Sequence, residues 1–340
     1  MLCALLVLSF VFLSYVWSNS HQKNDLTKEN NLIRVGYMVG NINFAPFFVT
    51  YIKDFFNSHN VTVEAIILNS GDEIKIALAA GQIDIALGGV TDFFIPISKG
   101  VPIKIIAPLA SAQTYLFVRP DSKIKTFEDL LGKTIAARPG SVTGYNIRYV
   151  LEKENIDANK IEFVSIDKVY RPIALMDKKI VDAVPIGEDE LAKFSESGAI
   201  PHEGWVAKGY ANQLLPENVI AINENFKLSN SLLVEHFIDA IIDGHKFIKS
   251  NPDEAAQIVS TYIKKESGDA FVLSPENIIT IWKNKKLEYV LWSDPAIFAE
   301  MSKIAVEIEQ IESSLTVDQI FDLSFEQKLK EAQNEIYPAN

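Results

Sequence analysis

Cysteine is almost missing from this 340-residue chain: the single one, Cys3, lies inside the first hydrophobic stretch. A folded body without cysteine holds neither an internal disulfide nor a thiolate-ligated metal cluster. Histidine is scarce as well. His21, His59, His202, His236 and His245 stand far apart, without the close spacing of a zinc-binding helix, so neither metal nor other cofactor is expected. Positive charge is in deficit, with 32 Lys plus Arg against 44 Asp plus Glu and a formal charge of -12. That field repels nucleic acid and anionic headgroups at long range, which argues against a nucleic-acid partner. An anionic small molecule remains compatible with it, because helix dipoles inside a cleft act locally.

Long apolar runs are missing after the N-terminus. Met1 to Trp17 is nearly all apolar, broken by Ser9 and Ser14, and carries no charge. It is slightly short of the roughly 20 residues of a membrane span and close to the apolar core of an export signal. Small residues follow in a usable cleavage pattern, Val16 with Ser18 or Ser18 with Ser20, and then a polar stretch from His21 to Asn31. Residues 1–20 therefore read as a signal peptide or an uncleaved N-terminal anchor, and 21–31 as a tether. Two features depart from the pattern: no Lys or Arg precedes the run, and Cys3 lacks the small-residue context of a lipid-modified cysteine. Either reading exports the body, to the periplasm or the outer face of the cytoplasmic membrane.

What is present is ordinary globular composition, 48% hydrophobic and 22% charged, in a chain long enough for two lobes. From Leu32 onward short β-branched runs alternate with helical periodicity, the mark of parallel α/β architecture. Strands are expected at Ile33–Gly36, Val61–Leu68, Ile83–Leu87 and Ile103–Leu109, with helices near Phe47–Phe56, Asp72–Ala80 and Thr91–Ser98. The pattern then restarts. A capping box at Thr126 to Asp129 leads to strand Thr134–Ala137, helix Thr143–Glu154, strand Ile161–Ser165, a helix near Arg171–Asp177 and strand Ala183–Ile186. Val35 to Val63 and Ile135 to Phe163 both span 28 positions, and each third strand is announced alike, by Gln82-Ile83-Asp84-Ile85-Ala86 and by Lys179-Ile180-Val181-Asp182-Ala183. Two similar βαβαβ lobes would give this weak symmetry. Beyond an extended segment at Val219–Ile222 strands give out, and helices open at Ser229, Pro252 and Ser274-Pro275. Two chain crossings, near Ala112–Tyr115 and Leu215–Val219, divide the chain into a first lobe of residues 32–112 plus 216–340 and a second of 113–215.

Catalytic motifs fail on inspection. Gly132-Lys133-Thr134 resembles the end of a phosphate-binding loop, but Phe127 stands where glycine is required and a strand follows instead of a helix. Around Ser141, Pro139 replaces the glycine of a nucleophile elbow. There remain polar, glycine-bearing turns at the carboxyl ends of the strands, where open α/β sheets place ligands: Asn41 to Ala45, Asn69 to Asp72, Gly88 to Thr91, Pro139 to Thr143 and Gly187 to Asp189. Several run into helices, so free N–H groups and the positive dipole end point into one space. Each hydroxyl there, on Ser70, Thr91, Ser141 or Thr143, is by itself a plain helix cap; five converging turns are the signal. Phe44 and Trp205 are candidates for an apolar wall, while Phe47, Phe93 and Phe94 read as core.

At these residues the chain resembles the type II periplasmic binding proteins of the nitrate, sulfonate and taurine group, whose fold thiamine-precursor binding proteins share. The resemblance covers about residues 32–265. It rests on the Gly36 to Phe56 opening with Ala45-Pro46-Phe47, on Ala79-Ala80-Gly81-Gln82-Ile83-Asp84, on Lys99-Gly100-Val101-Pro102, and on Ile124 to Lys133 followed by Pro139-Gly140-Ser141. It implies a two-lobed α/β fold with the ligand cleft between the lobes. It further implies a monomer that passes a small solute to an ABC transporter permease. Implied ligand contacts are Asn43, Phe44, Ala45, Ser70, Gly71, Thr91, Ser141, Val142, Thr143, Glu188 and Trp205. Many members carry Trp-Glu-Pro after the third strand of lobe two, where this chain has Ile186-Gly187-Glu188-Asp189 and keeps only the glutamate. A smaller, more acidic pocket floor favours a zwitterion, an amine-bearing sulfonate or a heterocycle with N–H donors over bare nitrate. The rival readings are a pyrimidine-synthase-like enzyme, whose cysteine-rich motif is missing here, and a sensor domain.

Overall fold

The computed structural model describes residues 31–338 apart from 39, 113, 138–139, 166–177, 188–214, 268–272 and 286. Over these the chain runs β1 (Leu32–Tyr37), α1 (Ala45–Ile52), α2 (Phe55–Ser58), β2 (Thr62–Ile67), α3 (Gly71–Ala79), β3 (Ile85–Gly89), α4 (Phe94–Ser98), β4 (Ile103–Ala112), β5 (Thr114–Val118), β6 (Thr134–Ala136), α5 (Val142–Lys153), β7 (Glu162–Val164) and β8 (Ala183–Gly187). It continues with β9 (Leu215–Asn223), α6 (Glu224–Ser229), α7 (Ser231–Ser250), α8 (Pro252–Ser267), α9 (Pro275–Lys283), β10 (Leu287–Tyr289), α10 (Pro295–Glu307), α11 (Val317–Ile320) and α12 (Glu326–Ile336).

These strands form two sheets, one ordered β10-β4-β9-β3-β1-β2 and one ordered β5-β8-β6-β7. β1 is parallel to β2 and β3, and β6 to β7 and β8. Mixed pairing enters where the chain crosses, with β9 antiparallel to β3 and β4 and β5 antiparallel to β8, and again at the edge strand β10. Three expectations are corrected. The crossing expected near Leu215–Val219 is already strand, because β9 starts at Leu215. Strands do not give out after β9, because β10 pairs antiparallel with the far end of β4. The helix expected over Phe47–Phe56 breaks into α1 and α2 at Asp54, whose φ of 62° is left-handed and cannot propagate a helix. The helix expected near Arg171–Asp177 lies outside the described residues.

Packing follows from the two-residue period of the strands. On β9, Ile220 and Ile222 join one buried cluster with Phe47, Phe48 and Phe237, while Val219 and Ala221 join another with Ile74, Phe93 and Phe94. The large sheet is thus covered on both faces, which its near-continuous apolar strands require. A smaller cluster with Leu116, Ile135 and Leu151 fills the second sheet.

The sequence symmetry has a specific physical basis. Asp84, three per cent exposed, accepts hydrogen bonds from the Arg34 backbone N–H (2.8 Å) and from Arg34 Nε and a terminal guanidinium nitrogen (3.0 and 2.6 Å). Its own N–H donates to the Arg34 carbonyl at 2.9 Å. In the second sheet Asp182 repeats the device: it accepts from the Thr134 N–H (3.1 Å) and the Arg119 guanidinium (2.7 Å), and its N–H donates to the Thr134 carbonyl at 2.8 Å. Each carboxylate clips the start of the third strand to the start of the first. Observed registers refine the repeat: Val35 pairs with Ala65 and Ile85, and Ile135 with Phe163 and Ala183. First-to-second steps are therefore 30 and 28 positions (35 to 65, 135 to 163), where the sequence suggested 28 for both, and second-to-third steps are 20 in both (65 to 85, 163 to 183). Asp84→Ala strips three donors of a buried acceptor and should cost about 3 kcal/mol. Urea denaturation would show a lowered midpoint at unchanged slope, and a midpoint within error of the parent would refute the clip.

His245 on α7 is wholly buried, its Nδ1 3.1 Å from the Tyr337 hydroxyl. Burial alone pushes its pKa from 6.5 down to about 3. Between those values the unfolded chain binds a proton that the folded one refuses. This contribution is complete above about pH 6.5 and falls as pH drops towards 3, by up to about 1.4 kcal/mol per unit. Stability measured from pH 7 to pH 4 should show this slope in the parent protein and a shallower one in His245→Gln.

Candidate functional site

The turns after β1, β2, β3 and β6 all lie at carboxyl strand ends, and those after β2, β3 and β6 touch. In the first, Asn41 Oδ1 accepts from the Asn43 N–H at 2.9 Å and caps a single 3-10 turn, Ile42–Phe44. Tyr289 donates its hydroxyl to the Ile42 carbonyl at 2.9 Å, and Trp282 Nε1 donates to that hydroxyl at 2.8 Å, so β10 and α9 brace the turn from behind. Phe44 and Ala45 are completely buried, with Phe44 edge-on to Phe48 at 6.3 Å. Their N–H groups are used within the turn, by Asn41 and Ile42 carbonyls. Asn43 is buried too; its Nδ2 donates to Glu217 Oε2 (2.8 Å) and Asn218 Oδ1 (2.6 Å) at the start of β9. Its Oδ1 has no hydrogen-bond partner.

Ser70 caps α3 by accepting from the Glu73 N–H at 3.2 Å, while Glu73 reaches back to the Asn69 N–H at 2.9 Å. The amino end of α3 also has an anion against it. A Cβ built on Gly71 would stand 2.6 Å from Asp92 Oδ2, and the same carboxylate oxygen accepts from the Gly89 N–H at 3.1 Å. Asp92 thus fills, from within the chain, a position that a solute's anionic group would otherwise find attractive. Tyr145 lies beside it: burial raises the pKa of this phenol first, and the charge of Asp92 raises it further, so the hydroxyl stays a neutral donor.

Thr91, next along, donates its hydroxyl to the Gly140 carbonyl at 2.8 Å, joining the turn after β3 to the turn after β6 across the two sheets. Gly140 has φ +81°, a left-handed position that favours glycine. Ser141 caps α5 through the Gly144 N–H at 3.1 Å, with Thr143 Oγ1 3.4 Å from its hydroxyl. Val142 packs towards Gly89, 3.0 Å from where a Cβ there would sit. Two further contacts hold α5. Asn146 Nδ2 donates to Thr114 Oγ1 at 2.8 Å, and the Tyr145 hydroxyl donates to Gln310 Oε1 at 2.6 Å. Among the expected contacts, then, Gly71, Thr91 and Val142 meet across the turns, Ser70 and Ser141 are caps, Phe44 and Ala45 are packed into the core, and Asn43 faces β9. Glu188, Trp205 and Pro139 lie outside the described residues. Sequence reasoning missed Asp92, Tyr145, Gln310, Glu217 and Asn218; only Asp92 left a local trace, as an acid three residues beyond Gly89.

The close approach of Asp92 makes an unusual sign for a helical glycine. Gly71 has ordinary backbone angles, so alanine should add about 0.5–1 kcal/mol by helix propensity. Gly71→Ala should instead destabilise, and the penalty should vanish in an Asp92→Ala background, with a coupling of about 1–2 kcal/mol from the double-mutant cycle. Additive effects would mean that the carboxylate does not sit there.

A two-sheeted α/β body with turns converging from both sheets has the fold of the periplasmic binding proteins. The aliphatic sulphonate binding protein SsuA of Escherichia coli superposes with a TM-score of 0.68 at 13% identity, covering 86% of this chain and 92% of that one. The nitrate-binding protein NrtA of Synechocystis PCC 6803 does so with 0.68 at 16% identity, covering 92% and 90%. Residues 41–255 match the family described as NMT1/THI5 like, and the chain belongs to that family. YtlA of Bacillus subtilis (strain 168), named by inference as a binding protein, is 24% identical over 278 residues, 76% of this chain and 82% of its own length.

Proposed function

We propose that this chain is the extracytoplasmic solute-binding protein of an ABC transporter. Residues 32–112 with 216–340 and residues 113–215 act as two lobes that close on a small zwitterionic or anionic organic solute, delivered to a membrane permease. The observation that carries this reading is the Thr91 to Gly140 hydrogen bond, which brings carboxyl-end turns of two separate sheets to one place. Relatives support it: the names of SsuA and NrtA describe periplasmic binding of a sulphonate and of nitrate. The apolar run of residues 1–20 supports export.

Chemistry narrows the solute class. On the first-sheet side the dipole end of α3 is met by Asp92, with buried Glu217 nearby through Asn43, so this wall suits an amine or an N–H-bearing ring better than a bare oxyanion. The amino end of α5, at Ser141 to Thr143, is the place assigned to the solute's negative group, since the helix dipole and its first N–H groups favour an anion there. A taurine-like sulfonate or a thiamine-precursor-like heterocycle meets both demands. No turnover is proposed, because no nucleophile–base pair stands at the turns among the described residues.

A thermal-shift screen of the mature chain against taurine, alkanesulfonates, nitrate, bicarbonate and pyrimidines tests the class. A true solute at about 100 times its Kd should add about 2.7 kcal/mol of stability. For the solute found, Ser141→Ala should weaken binding about tenfold by calorimetric titration, since hydrogen bonds to a charged group contribute about 1.5–3 kcal/mol. A variant that loses about 1 kcal/mol of stability yet binds like the parent would reduce Ser141 to a helix cap.

A further inference from the structure

The C-terminal segment beyond residue 255, outside the family match, does something that two chain crossings alone would not. Helix α10 buries Phe298, Met301, Ile304 and Ala305 in one cluster with Phe93 and Phe94 of the first-sheet unit and with Tyr145 and Tyr149 of α5, which follows β6 of the second. A single apolar cluster therefore spans both units, with α10 as the bridging element. At its carboxyl end α10 stops in a manner that fixes the next side chain. Glu309 turns left-handed (φ 59°), and the N–H groups of Gln310 and Ile311 return to the Ala305 carbonyl at 2.8 and 3.3 Å. Ile311 is then buried in the same cluster, so Gln310 has little freedom in where it points.

It points at the turn before α5. Gln310 Oε1 accepts the Tyr145 hydroxyl at 2.6 Å, and its Nε2 lies 2.6 Å from where a Cβ on Gly140 would be. The same Gly140 gives its carbonyl to Thr91. We propose that Pro295–Ile311 is a strap across the two lobes and that Gln310 is its latch, a positioning residue that holds the Gly140 to Thr143 turn against Thr91. Lobe opening must then break the Tyr145–Gln310 and Thr91–Gly140 bonds and part the cluster around α10, so the strap sets the balance between open and closed forms. The purpose of that balance rests on the solute-binding reading; the strap itself does not.

The test needs no solute. In the full chain with Cys3→Ser, spin labels on Ile76→Cys and Ile180→Cys, exposed positions of the first and second sheet units, report the distance between them. The parent should give one narrow distance. Gln310→Ala and the conservative Tyr145→Phe should each raise the longer-distance fraction about three- to tenfold, the range that one neutral hydrogen bond supplies. Gly140→Ala should do the same, and combining it with Gln310→Ala should cost less stability than the two separately, because the second removes the side chain that the new Cβ meets. A broad distribution in the parent, or one indifferent to Gln310→Ala and Tyr145→Phe, would overturn the latch. A responsive distance in a protein that binds none of the panel solutes would keep the latch and remove the transport reading.

Discussion

Two carboxylates, Asp84 buried and Asp182 partly exposed, set the frame on which everything else hangs. Asp84 and Asp182 each tie the first residue of a third strand to the start of its sheet's first strand, through backbone N–H, backbone carbonyl and an arginine together. A one-residue slip would swap every side chain of a strand between the two faces of its sheet, so register must be held firmly. The clips hold it at the amino ends. That leaves the carboxyl ends to carry turns, and the turns of both sheets come out at fixed heights. A desolvated carboxylate is costly unless every oxygen is met, and here the partner guanidiniums stand at the edge, Arg34 being partly exposed, so the charge pairs without a fully buried cation.

At the other end of the strands the polar groups are largely consumed by the protein itself. Ser70 and Ser141 cap helices, Asp92 meets the amino end of α3, and Thr91 bonds Gly140. As the proposed solute site, such an arrangement would be rigid before anything enters it and selective by what it withholds. In that proposal the internal anion at α3 makes one wall repel a second anion, while the dipole end of α5 is assigned to the solute's own. Specificity by charge placement of this kind works through the penalty on the wrong solute as much as through attraction of the right one.

Much of this frame could be read from residues alone, for reasons that are local. Strand cores such as Ile103-Lys104-Ile105-Ile106 carry β-branched composition, and Ser70, Ser141 and Ser274 each cap the helix they precede. The paired Asp signals were visible before their partners were. Illegible parts depend on distant contacts. Thr114-Tyr115-Leu116-Phe117-Val118 has strand composition, but no turn signal separates it from β4, and only its pairing with β8 defines it. β10 is three residues on an edge. Phe44 sits among turn residues, yet packing against Phe48 decides its place. Gln310 and Tyr145 are 165 positions apart, and no periodicity could join them.

The crossings explain why a strap has leverage. β4 and β9 are neighbours in the first sheet, with Ala112 opposite Leu215, and β5 and β8 are neighbours in the second, with Thr114 opposite Gly187. The strand ends that lead out of each sheet towards the other therefore lie side by side. For the two proposed lobes, paired strands on both sides of the crossing give one axis of bending, which is the mechanics of a hinge. A hinge restrains direction and leaves amplitude open. Amplitude must be limited by contacts away from the axis, and α10 with Gln310 is such a contact, joined to α5 by an apolar cluster and a hydrogen bond. Because packed apolar surfaces separate cooperatively instead of stretching, this arrangement favours two discrete states over a continuum, a tight form and an open one.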